Sequence, residues 1–585
     1  MATGKQLAES QLPAADAQSG TAQPLVRSVR AQLGAPIPGV NDYLRACADW
    51  SLGLALAPER QQALFQSALA YGADSARFAL QAASGTPPAQ AHGNTRFAAA
   101  GWEQWPFNVY AHAHENLKAW SREALSAAEG VSVENAQRLE FLQRQWLNFA
   151  SPAHYLPTNP DLLEQTRREN GANLMRGAQH WIEDAARMLT RGAAPGAGQF
   201  RVGEQVAVTP GKVVMRNALA ELIQYSPQTD SVYAEPILIT PAWIMKYYIL
   251  DLSPHNSLVN FLVGQGHTVF MLSWKNPTAA DRNLTMDDYV RLGVFAALDA
   301  VQSIVPDQPI HAVGYCIGGT LLSITAAALA RDADTRLASI TLFAAQTDFS
   351  EPGELALFIS PEQLAALEAQ MQRDGVLSSE SMGAAFALLR SSELIWAPAV
   401  NQYLRGERAQ LNDLMAWNAD GTRMPCRMHS DYLQRLYLHN ELAAGTFTVG
   451  GKSIDLRHIT VPMFVVGTET DHVAPWHSAY KTRALTRSSD YTFMLTSGGH
   501  NAGIISGPVN PKRRHRIHRW KEPSDPASPE QFMERAELRA GSWWPTWQQW
   551  LVAHSAPGLV APPPRGNAIA GYVPLADAPG GYVFG

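Results

Sequence analysis

From about residue 200 onward, short runs of β-branched and aromatic residues alternate with segments whose apolar residues recur at helical spacing. Six of these runs read as strands: EPILIT (235–240), HTVFMLSW (267–274), PIHAVGY (309–315), LASITLFAA (337–345), VPMFVVG (461–467) and YTFMLTS (491–497). This alternation predicts an α/β fold, a mostly parallel sheet with helices on both faces. Between about residues 350 and 445 the strand signals stop and a helix-rich stretch intervenes, which predicts an inserted cap.

The other parts of the chain have different compositions. Residues 1–40 are rich in Ala, Gln, Ser, Gly and Pro and predict a disordered leader. Residues 41–199 carry apolar residues at helical spacing and predict an N-terminal helical domain. The α/β domain then spans 200–554, with the cap at about 350–445, and 555–585 is a Pro/Gly-rich tail that we expect to be poorly ordered.

Composition excludes several classes of protein. The chain has 46 Lys and Arg residues against 52 Asp and Glu residues, a net charge of −6, which argues against bulk nucleic-acid binding. Its three cysteines are too few for a disulfide framework and lack zinc-ligand spacing, which favours a reducing cytoplasm. The sequence shows no signal peptide and no apolar run of the roughly 18 residues that a membrane span needs. We therefore expect a cytoplasmic protein without a membrane span.

The segment GYCIG, residues 314–318, joins the strand PIHAVGY to a helical segment. In α/β-hydrolase folds a Gly-x-nucleophile-x-Gly turn at such a junction exposes the nucleophile, which here is Cys316. The two glycines allow a sharp turn, and the helix N-terminus favours a thiolate over a thiol. Alone the match is weak, because most cysteines are small buried apolar residues. The residues downstream therefore decide its meaning.

In α/β-hydrolase folds an acid and then a histidine follow the nucleophile, each just after a strand. Asp471 follows VPMFVVGTET, and His500 follows YTFMLTSGG. We therefore predict that Cys316, Asp471 and His500 form a catalytic triad. His472 precedes the last of these strands and reads as a loop residue, whereas His311 lies inside a strand and is predicted to be packed.

Acyl transfer also requires an oxyanion hole. One donor is normally the backbone N–H after the nucleophile, here that of Ile317. The second is expected from the loop after EPILIT, where Ala242, Trp243 and Ile244 are alternatives and Trp243 is the residue we select.

The choice of a thiol nucleophile itself suggests a reaction. A cysteine that attacks a thioester forms another thioester of similar free energy, so the acyl group stays activated, whereas a serine would hold it as a stable oxygen ester. Transfer to a hydroxyl is then downhill, with a histidine first deprotonating the thiol and then assisting the acceptor. The sequence thus favours acyl transfer from a thioester to an alcohol.

Together with several longer stretches, these residues resemble the polyhydroxyalkanoate synthases, which polymerise (R)-3-hydroxyacyl-CoA with a Gly-x-Cys-x-Gly box. The resemblance covers about residues 97–552. It is carried by SPAHYLPTNPDLLEQTRRENGANLMRG, PAWIMKYYILDLSPHNSLVNFLVGQGHTVFMLSWKNP, GYCIGGT, DFSEPGEL, MAWNADGTRMP, TDHVAPW, SGGH and GSWWPTWQQWL. The length and the N-terminal domain resemble the single-subunit synthases.

The resemblance implies specific roles and partners. Cys316 would carry the growing chain, His500 would activate it, and Asp471 would orient His500 or help to activate the 3-hydroxyl of the incoming monomer. The acyl donor would be an (R)-3-hydroxyacyl-CoA, with coenzyme A leaving as a product and no cofactor or metal required. The family also implies a homodimer, with Trp417 at the position of a cap tryptophan linked to dimer contacts, and a cytoplasmic location at the surface of polyester granules.

Two positions depart from the family pattern, and two other functions stay open. Asn501 stands where the family usually has an apolar residue, and Met245 replaces a usual polar one. On the same machinery, water as acceptor would make the protein an intracellular polyester depolymerase or an acyl-CoA thioesterase. A non-catalytic granule-surface protein is the third hypothesis, which an intact triad disfavours.

Two further stretches carry predictions of their own. KRRHRIHRWK, residues 512–521, is predicted to be a solvated loop, with contact to the phosphates of coenzyme A as the alternative. Trp543, Trp547 and Trp550 recur at helical spacing and are predicted to form a core stripe.

Overall fold

The N-terminal part of the chain is helical. The computed structural model describes residues 40–85, 94–190, 196–508, 510–521 and 528–585, so the predicted leader lies outside the described residues except for its last position. The helices of this part are α1 (Val40–Ala55), α2 (Pro58–Ala83), α3 (Phe107–Ala127), α4 (Val133–Phe149), α5 (Pro160–Arg168) and α6 (Ala172–Thr190). Local signals set some of their starts: the Asn159 side chain accepts from the backbone N–H groups of Asp161 and Leu162, which caps α5.

A single eleven-stranded sheet forms the centre of the described structure. Its strands are β1 (Gly211–Arg216), β2 (Ala220–Tyr225), β3 (Ile237–Thr240), β4 (Val269–Trp274), β5 (Ile310–Tyr315), β6 (Leu337–Phe343), β7 (Met463–Thr468), β8 (Tyr491–Thr496), β9 (Arg514–Trp520), β10 (Glu537–Ala540) and β11 (Ala576–Asp577). Their spatial order is β10-β9-β8-β7-β6-β5-β3-β4-β2-β1-β11. Strands β3 to β8 are the six predicted from the sequence, and they are parallel to one another. The predicted α/β class is confirmed.

On both sides of this parallel centre, each outer strand pairs antiparallel with its neighbour. Because β3, β5, β7 and β8 point the same way, the loops that follow them meet at one edge of the sheet, where open α/β sheets bind ligands. Those loops carry every site residue predicted above.

Helices cover both faces of the sheet and bury two apolar cores. Along β3, Leu238 belongs to one core and Ile237 and Ile239 to the other, as the two-residue period of a strand requires. The covering helices are Leu258–Gly264, Met286–Asp288 continued by Tyr289–Phe295 and Ala296–Ile304, Ile317–Arg331, Trp476–Leu485, Pro529–Arg535 and Trp544–Ala553. Trp547 and Trp550 lie in the second core with Trp543, so the predicted tryptophan stripe is confirmed.

Between β6 and β7 the chain is largely helical. The segments are Glu354–Phe358, Pro361–Asp374, Ser379–Leu389, Ser392–Trp396, Ala397–Ala399, Val400–Leu404, Asp413–Ala419, Cys426–Tyr432, Leu433–Leu438 and Glu441–Ala444. Two short antiparallel pairs accompany them: Val376–Leu377 with Met424–Pro425, and Thr448–Val449 with Lys452–Ser453. We call residues 350–445 the cap.

The N-terminal helices are bound to the cap. Helix α6 approaches it so closely that a Cβ at Gly177 would lie 1.9 Å from the Tyr403 carbonyl oxygen. Asp184, buried on the same helix, accepts from the Tyr403 hydroxyl at 3.1 Å and from Arg408 at 3.0 Å. Near the start of the cap, Glu354 forms an ion pair with Arg144 of α4. The helical part therefore holds the cap from one side.

Two expectations from the sequence are wrong. The tail packs on the sheet: the N–H of Leu575 donates to Val213 O at 2.8 Å, that of Ala578 to Gly211 O at 3.0 Å, and β11 pairs with β1. The buried carboxylate of Glu221 accepts from two further backbone N–H groups of the tail.

Residues 514–520 form strand β9 rather than the predicted loop. A strand can accommodate this basic segment because His515 and Trp520 are buried while the arginines stay exposed or half-exposed.

No described helix combines the length and the apolar character needed to cross a bilayer.

Candidate active site

The nucleophile turn is shaped by its glycines. A Cβ at Gly314 would lie 2.4 Å from the Cα of Gly319, and one at Gly318 would lie 2.3 Å from the carbonyl oxygen of Thr240. Only glycine permits both approaches. Cys316, at the tip, has φ 55° and ψ −130°, a conformation that is strained for a residue with a Cβ. The helix Ile317–Arg331 begins directly after it, so the thiol lies at a helix N-terminus.

The structure brings the three predicted triad residues together. His500 Nδ1 lies 2.8 Å from Asp471 Oδ2, and the imidazole is close enough to Cys316 for that side chain to raise its pKa. Asp471 Oδ1 accepts from the backbone N–H groups of Val473 at 2.9 Å and Ala474 at 2.8 Å. These bonds fix the carboxylate, which in turn selects the tautomer with the proton on Nδ1 of the histidine.

Burial and charge act in opposite directions on the triad. Burial alone would raise the pKa of Asp471, but the charge of His500 and the hydrogen bonds to the carboxylate outweigh it and hold that pKa below its usual value. Burial likewise opposes the charge of His500, yet Asp471 and Cys316 together raise the pKa of the imidazole well above its usual value. The arrangement therefore makes His500 a stronger base than a free imidazole and stabilises its protonated form.

The loop after β3 lies against the nucleophile turn, as an oxyanion hole requires. Because Gly318 lies against the backbone of Thr240 and Pro241, these two residues are next to the first turn of the helix Ile317–Arg331. Ile317 opens that turn, where backbone N–H groups have no carbonyl partner within the helix. Within the described residues the structure records no hydrogen bond from the backbone N–H of Trp243, and its indole packs on Tyr289 at 4.7 Å. Both N–H groups remain candidate donors.

Two residues next to the triad form a contact that sequence reasoning missed. The Tyr315 hydroxyl donates to Asn501 Oδ1 at 2.6 Å, and the Tyr315 ring lies 5.6 Å from that of His500. Asn501 is one of the two positions that depart from the family pattern. Its amide therefore has a partner in this chain, and the bond connects the strand before the nucleophile to the loop of the histidine.

The cap contributes two tyrosines to the site. Burial raises the pKa of Tyr432 and of Tyr437 well above the usual value, and the negative charge of Cys316 adds to the effect on both. Their hydroxyls are 3.3 Å apart, and the Tyr437 ring packs on Phe349 at 4.9 Å. No motif marks these tyrosines in the sequence, so only the fold of the cap reveals them.

Other residues considered in the sequence lie away from the reacting atoms. His472 is exposed, and His311 is fully buried in β5 with its Nδ1 2.7 Å from the Ser339 hydroxyl, as predicted for a packed histidine. Trp417 is buried, and its indole N–H donates to Lys246 O at 2.8 Å. Met245 forms a β-bridge with Gly421 of the cap. In the described ranges no group of three or more metal-ligating side chains is arranged to hold an ion.

Comparisons with known proteins agree with this geometry. Residues 93–262 match a family model described as "Poly-beta-hydroxybutyrate polymerase (PhaC) N-terminus", and residues 235–506 match the alpha/beta hydrolase fold. A poly(3-hydroxyalkanoate) polymerase of Methylorubrum extorquens is 39% identical over 501 residues, which cover 83% of this chain and 80% of that protein.

Two further relatives are poly(3-hydroxyalkanoate) polymerase subunits. That of Rhizobium meliloti is 36% identical over 83% of this chain and 79% of its own length, and that of Cupriavidus necator is 37% identical over 83% and 82%. The two family-model matches together span residues 93–506, which include most of the helical part, the nucleophile turn and both downstream loops. The chain therefore belongs to the poly(3-hydroxyalkanoate) polymerase family, on an α/β-hydrolase fold.

Proposed function

We propose that this protein is a polyhydroxyalkanoate synthase. It transfers (R)-3-hydroxyacyl groups from coenzyme A thioesters, through a thioester on Cys316, to the hydroxyl end of a growing polyester. The observation that carries the proposal is a thiol on the nucleophile turn that acts on His500, itself bonded to Asp471, in a chain related over most of its length to poly(3-hydroxyalkanoate) polymerases.

In the first step the Cys316 sulfur attacks the acyl carbonyl of the donor. The new C–S bond replaces the C–S bond to coenzyme A, and His500 takes the proton of the thiol and returns it to the departing coenzyme A sulfur. The backbone N–H groups of Ile317 and Trp243 would stabilise the tetrahedral oxyanion between these events. Asp471 holds the imidazole and balances its positive charge.

In the second step a hydroxyl group attacks the acyl-enzyme thioester. His500 accepts the hydroxyl proton while the C–O bond forms, and the proton passes to the sulfur as the C–S bond breaks. Ester formation from a thioester is downhill, so the thiol keeps each acyl group activated until an alcohol reaches it. No oxidation or reduction occurs, so the proposed reaction requires neither a redox cofactor nor a metal.

The cap tyrosines support an alcohol rather than water as acceptor. Tyr432 and Tyr437 are partly buried against the same apolar core as Cys316, and they are close enough for the charge of Cys316 to act on the pKa of both hydroxyls. An apolar cover of this kind limits access of bulk water to the acyl-enzyme. In our proposal this cover disfavours the depolymerase and thioesterase alternatives.

The product and the family suggest where the enzyme acts. A polyester that stays attached to Cys316 as it grows separates from water, so we propose that the protein acts in the cytoplasm at the surface of polyester granules. A homodimer is proposed on the family resemblance alone. Light scattering of the full chain, with and without substrate, tests the dimer directly.

The decisive experiment follows coenzyme A release from 3-hydroxybutyryl-CoA and from a medium-chain homologue, with the acyl product analysed. The Cys316→Ala protein is the paired variant, and Cys426→Ala, which alters a cap cysteine, is its matched control. We expect insoluble polyester from the native protein and the control, and no release from Cys316→Ala. Free hydroxy acid as the product would instead make the protein a thioesterase, and no release of coenzyme A from any of the three proteins would support the scaffold hypothesis.

A further inference from the structure

A cavity of about 170 Å³ lies between the N-terminal helices and the cap, remote in sequence from the triad. Arg96, His154 and Asp161 line it from the N-terminal side, and Ser392 and Arg405 line it from the cap. It thus has two arginines and one carboxylate, contributed by two parts of the molecule that meet there.

The charged groups of this cavity lack charged partners. Arg96 donates to the neutral Asn148 Oδ1 at 2.9 Å, and within the described ranges no carboxylate lies within ion-pair distance of its guanidinium. The same ranges hold no ion pair or hydrogen bond of the Arg405 guanidinium or of the Asp161 carboxylate. A guanidinium presents five N–H donors, so most of those of Arg96 and all of those of Arg405 are left for a ligand.

Burial makes the missing partner more significant for Arg96. Burial lowers the pKa of the Arg96 guanidinium, and the negative charge of Glu115 offsets this decrease only in part. His154 does not add a positive charge, because burial lowers its pKa to about 4 and its Nδ1 is bonded to the Asn148 carbonyl oxygen at 2.7 Å. A partly desolvated cation without a counter-charge is costly, and a bound anion would remove that cost.

We propose that this cavity binds a small oxyanion that also carries a hydroxyl group, such as monohydrogen phosphate or a short hydroxycarboxylate. The anionic oxygens would accept from Arg96 and Arg405, for which the planar guanidinium is well suited. The hydroxyl of the ligand would donate to Asp161. This inference does not depend on the proposed function of the triad.

The Asp161 carboxylate should make the site selective for anions that carry a hydroxyl group. Sulfate matches phosphate in size and shape, but it has no proton at neutral pH and would place an oxygen lone pair against Asp161. Phosphate retains one hydroxyl and satisfies that acceptor. The site should therefore discriminate between two otherwise similar anions.

Binding would also connect two parts of the protein. Arg96 and Asp161 belong to the N-terminal part and Arg405 to the cap, so one ligand would bridge them. The bridge would add to the contacts of α6 with the cap described above. The cavity is thus placed to couple the concentration of a metabolite to the position of the cap.

The test measures thermal unfolding and isothermal titration of the full chain with sodium phosphate, sodium sulfate and sodium 3-hydroxybutyrate, all at equal ionic strength. We expect a saturable rise in unfolding temperature with phosphate or 3-hydroxybutyrate and none with sulfate. At a ligand concentration one hundred times Kd, the folding equilibrium constant should rise about 100-fold. The two ligand arms distinguish the two sources of the anion.

Variants assign the effect to the cavity. Arg96→Gln and Arg405→Gln should each weaken binding by about tenfold or more. Arg168→Gln alters an exposed arginine elsewhere on α5 and should leave binding unchanged. Asp161→Asn should allow sulfate to bind as well. If Arg96→Gln destabilises the fold, two other variants still test anion binding. Arg405→Gln removes the other guanidinium, and Arg96→Lys keeps the positive charge but loses the planar group.

Several outcomes would overturn the proposal. These are equal shifts with sulfate and phosphate in the native protein, no binding of phosphate or 3-hydroxybutyrate, or undiminished binding in both arginine variants. A loss of activity in Cys316→Ala has no bearing on any of them, so failure here is distinguishable from failure of the synthase proposal.

Discussion

The bond between Tyr315 and Asn501 yields a quantitative test of how the histidine loop is held. Tyr315 is 1% exposed, whereas Asn501 is half-buried, so the two ends of the bond respond differently to removal of the partner. Asn501→Leu leaves the tyrosine hydroxyl buried without an acceptor, which costs about 1–3 kcal/mol. Tyr315→Phe leaves an amide oxygen that water can reach and should cost only about 0.5–1.5 kcal/mol.

The double variant separates the bond from the rest of the two side chains. When both partners become apolar, no buried polar group is left unpaired, so the double variant should be less destabilised than the sum of the single ones. From the figures above we expect a coupling energy of about 1–2 kcal/mol. The same bond should matter to catalysis, because Asn501 directly follows His500.

The assay is urea unfolding followed by tryptophan fluorescence, with steady-state coenzyme A release measured on the same four proteins. Buried tryptophans of the core that contains Tyr315, including Trp543 and Trp547, report on this region. Tyr491→Phe is the matched control, because the buried Tyr491 hydroxyl has no partner among the described residues and its removal should be neutral or stabilising. A coupling energy within about 0.3 kcal/mol of zero would refute the reasoning.

Three further predictions follow from the site and the core. Asp471→Asn removes the charge that supports His500, and kcat for coenzyme A release should fall by about two to four orders of magnitude with little change in KM; an unchanged kcat would remove Asp471 from the triad. Gly318→Ala places a Cβ 2.3 Å from the Thr240 carbonyl oxygen and should abolish soluble, active protein, whereas Gly383→Ala, whose Cβ meets no atom within 4 Å, should express normally. His267 is buried with a pKa of about 4, so between pH 6.5 and 4 the unfolded chain binds a proton that the folded protein does not, and stability falls as the pH falls. His267→Phe should remove about 2 kcal/mol of the loss between pH 7.5 and pH 5 in urea unfolding, and an unaltered pH dependence would contradict this assignment.

The parallel centre of the sheet was predictable because its strands are continuous apolar runs. Strands β3 to β8 are buried on both faces, so nothing in their sequences competes with the strand signal. The grouping of Cys316, Asp471 and His500 was predictable for a related reason, since each lies at or within four residues of the end of one of these strands. Chain order and strand ends indicated that the three would meet, and their catalytic roles stay a prediction.

The outer strands and the cap were not predictable in the same way. Strand β9 alternates basic and less polar residues, and its charge resembles that of a solvated loop. Strand β2 includes Glu221, a buried carboxylate that accepts from two backbone N–H groups more than 350 positions later in the chain. Tyr432 and Tyr437 are brought near Cys316 by an irregular helical stretch of the cap. Each of these features depends on long-range contacts that local sequence patterns do not record.

The tail that covers β1 has a consequence for aggregation. A sheet edge with unpaired N–H and C=O groups is a template on which a second copy can add a strand. The pairing of β11 with β1, together with the bonds from Leu575 and Ala578, occupies this edge from within the same chain. Under the proposed function at a granule surface, copies of the chain would be concentrated and close together, and this intramolecular pairing would keep them from associating through the β1 edge. The Pro/Gly-rich composition suits this task, because a segment with few free donors does not create a new edge of its own.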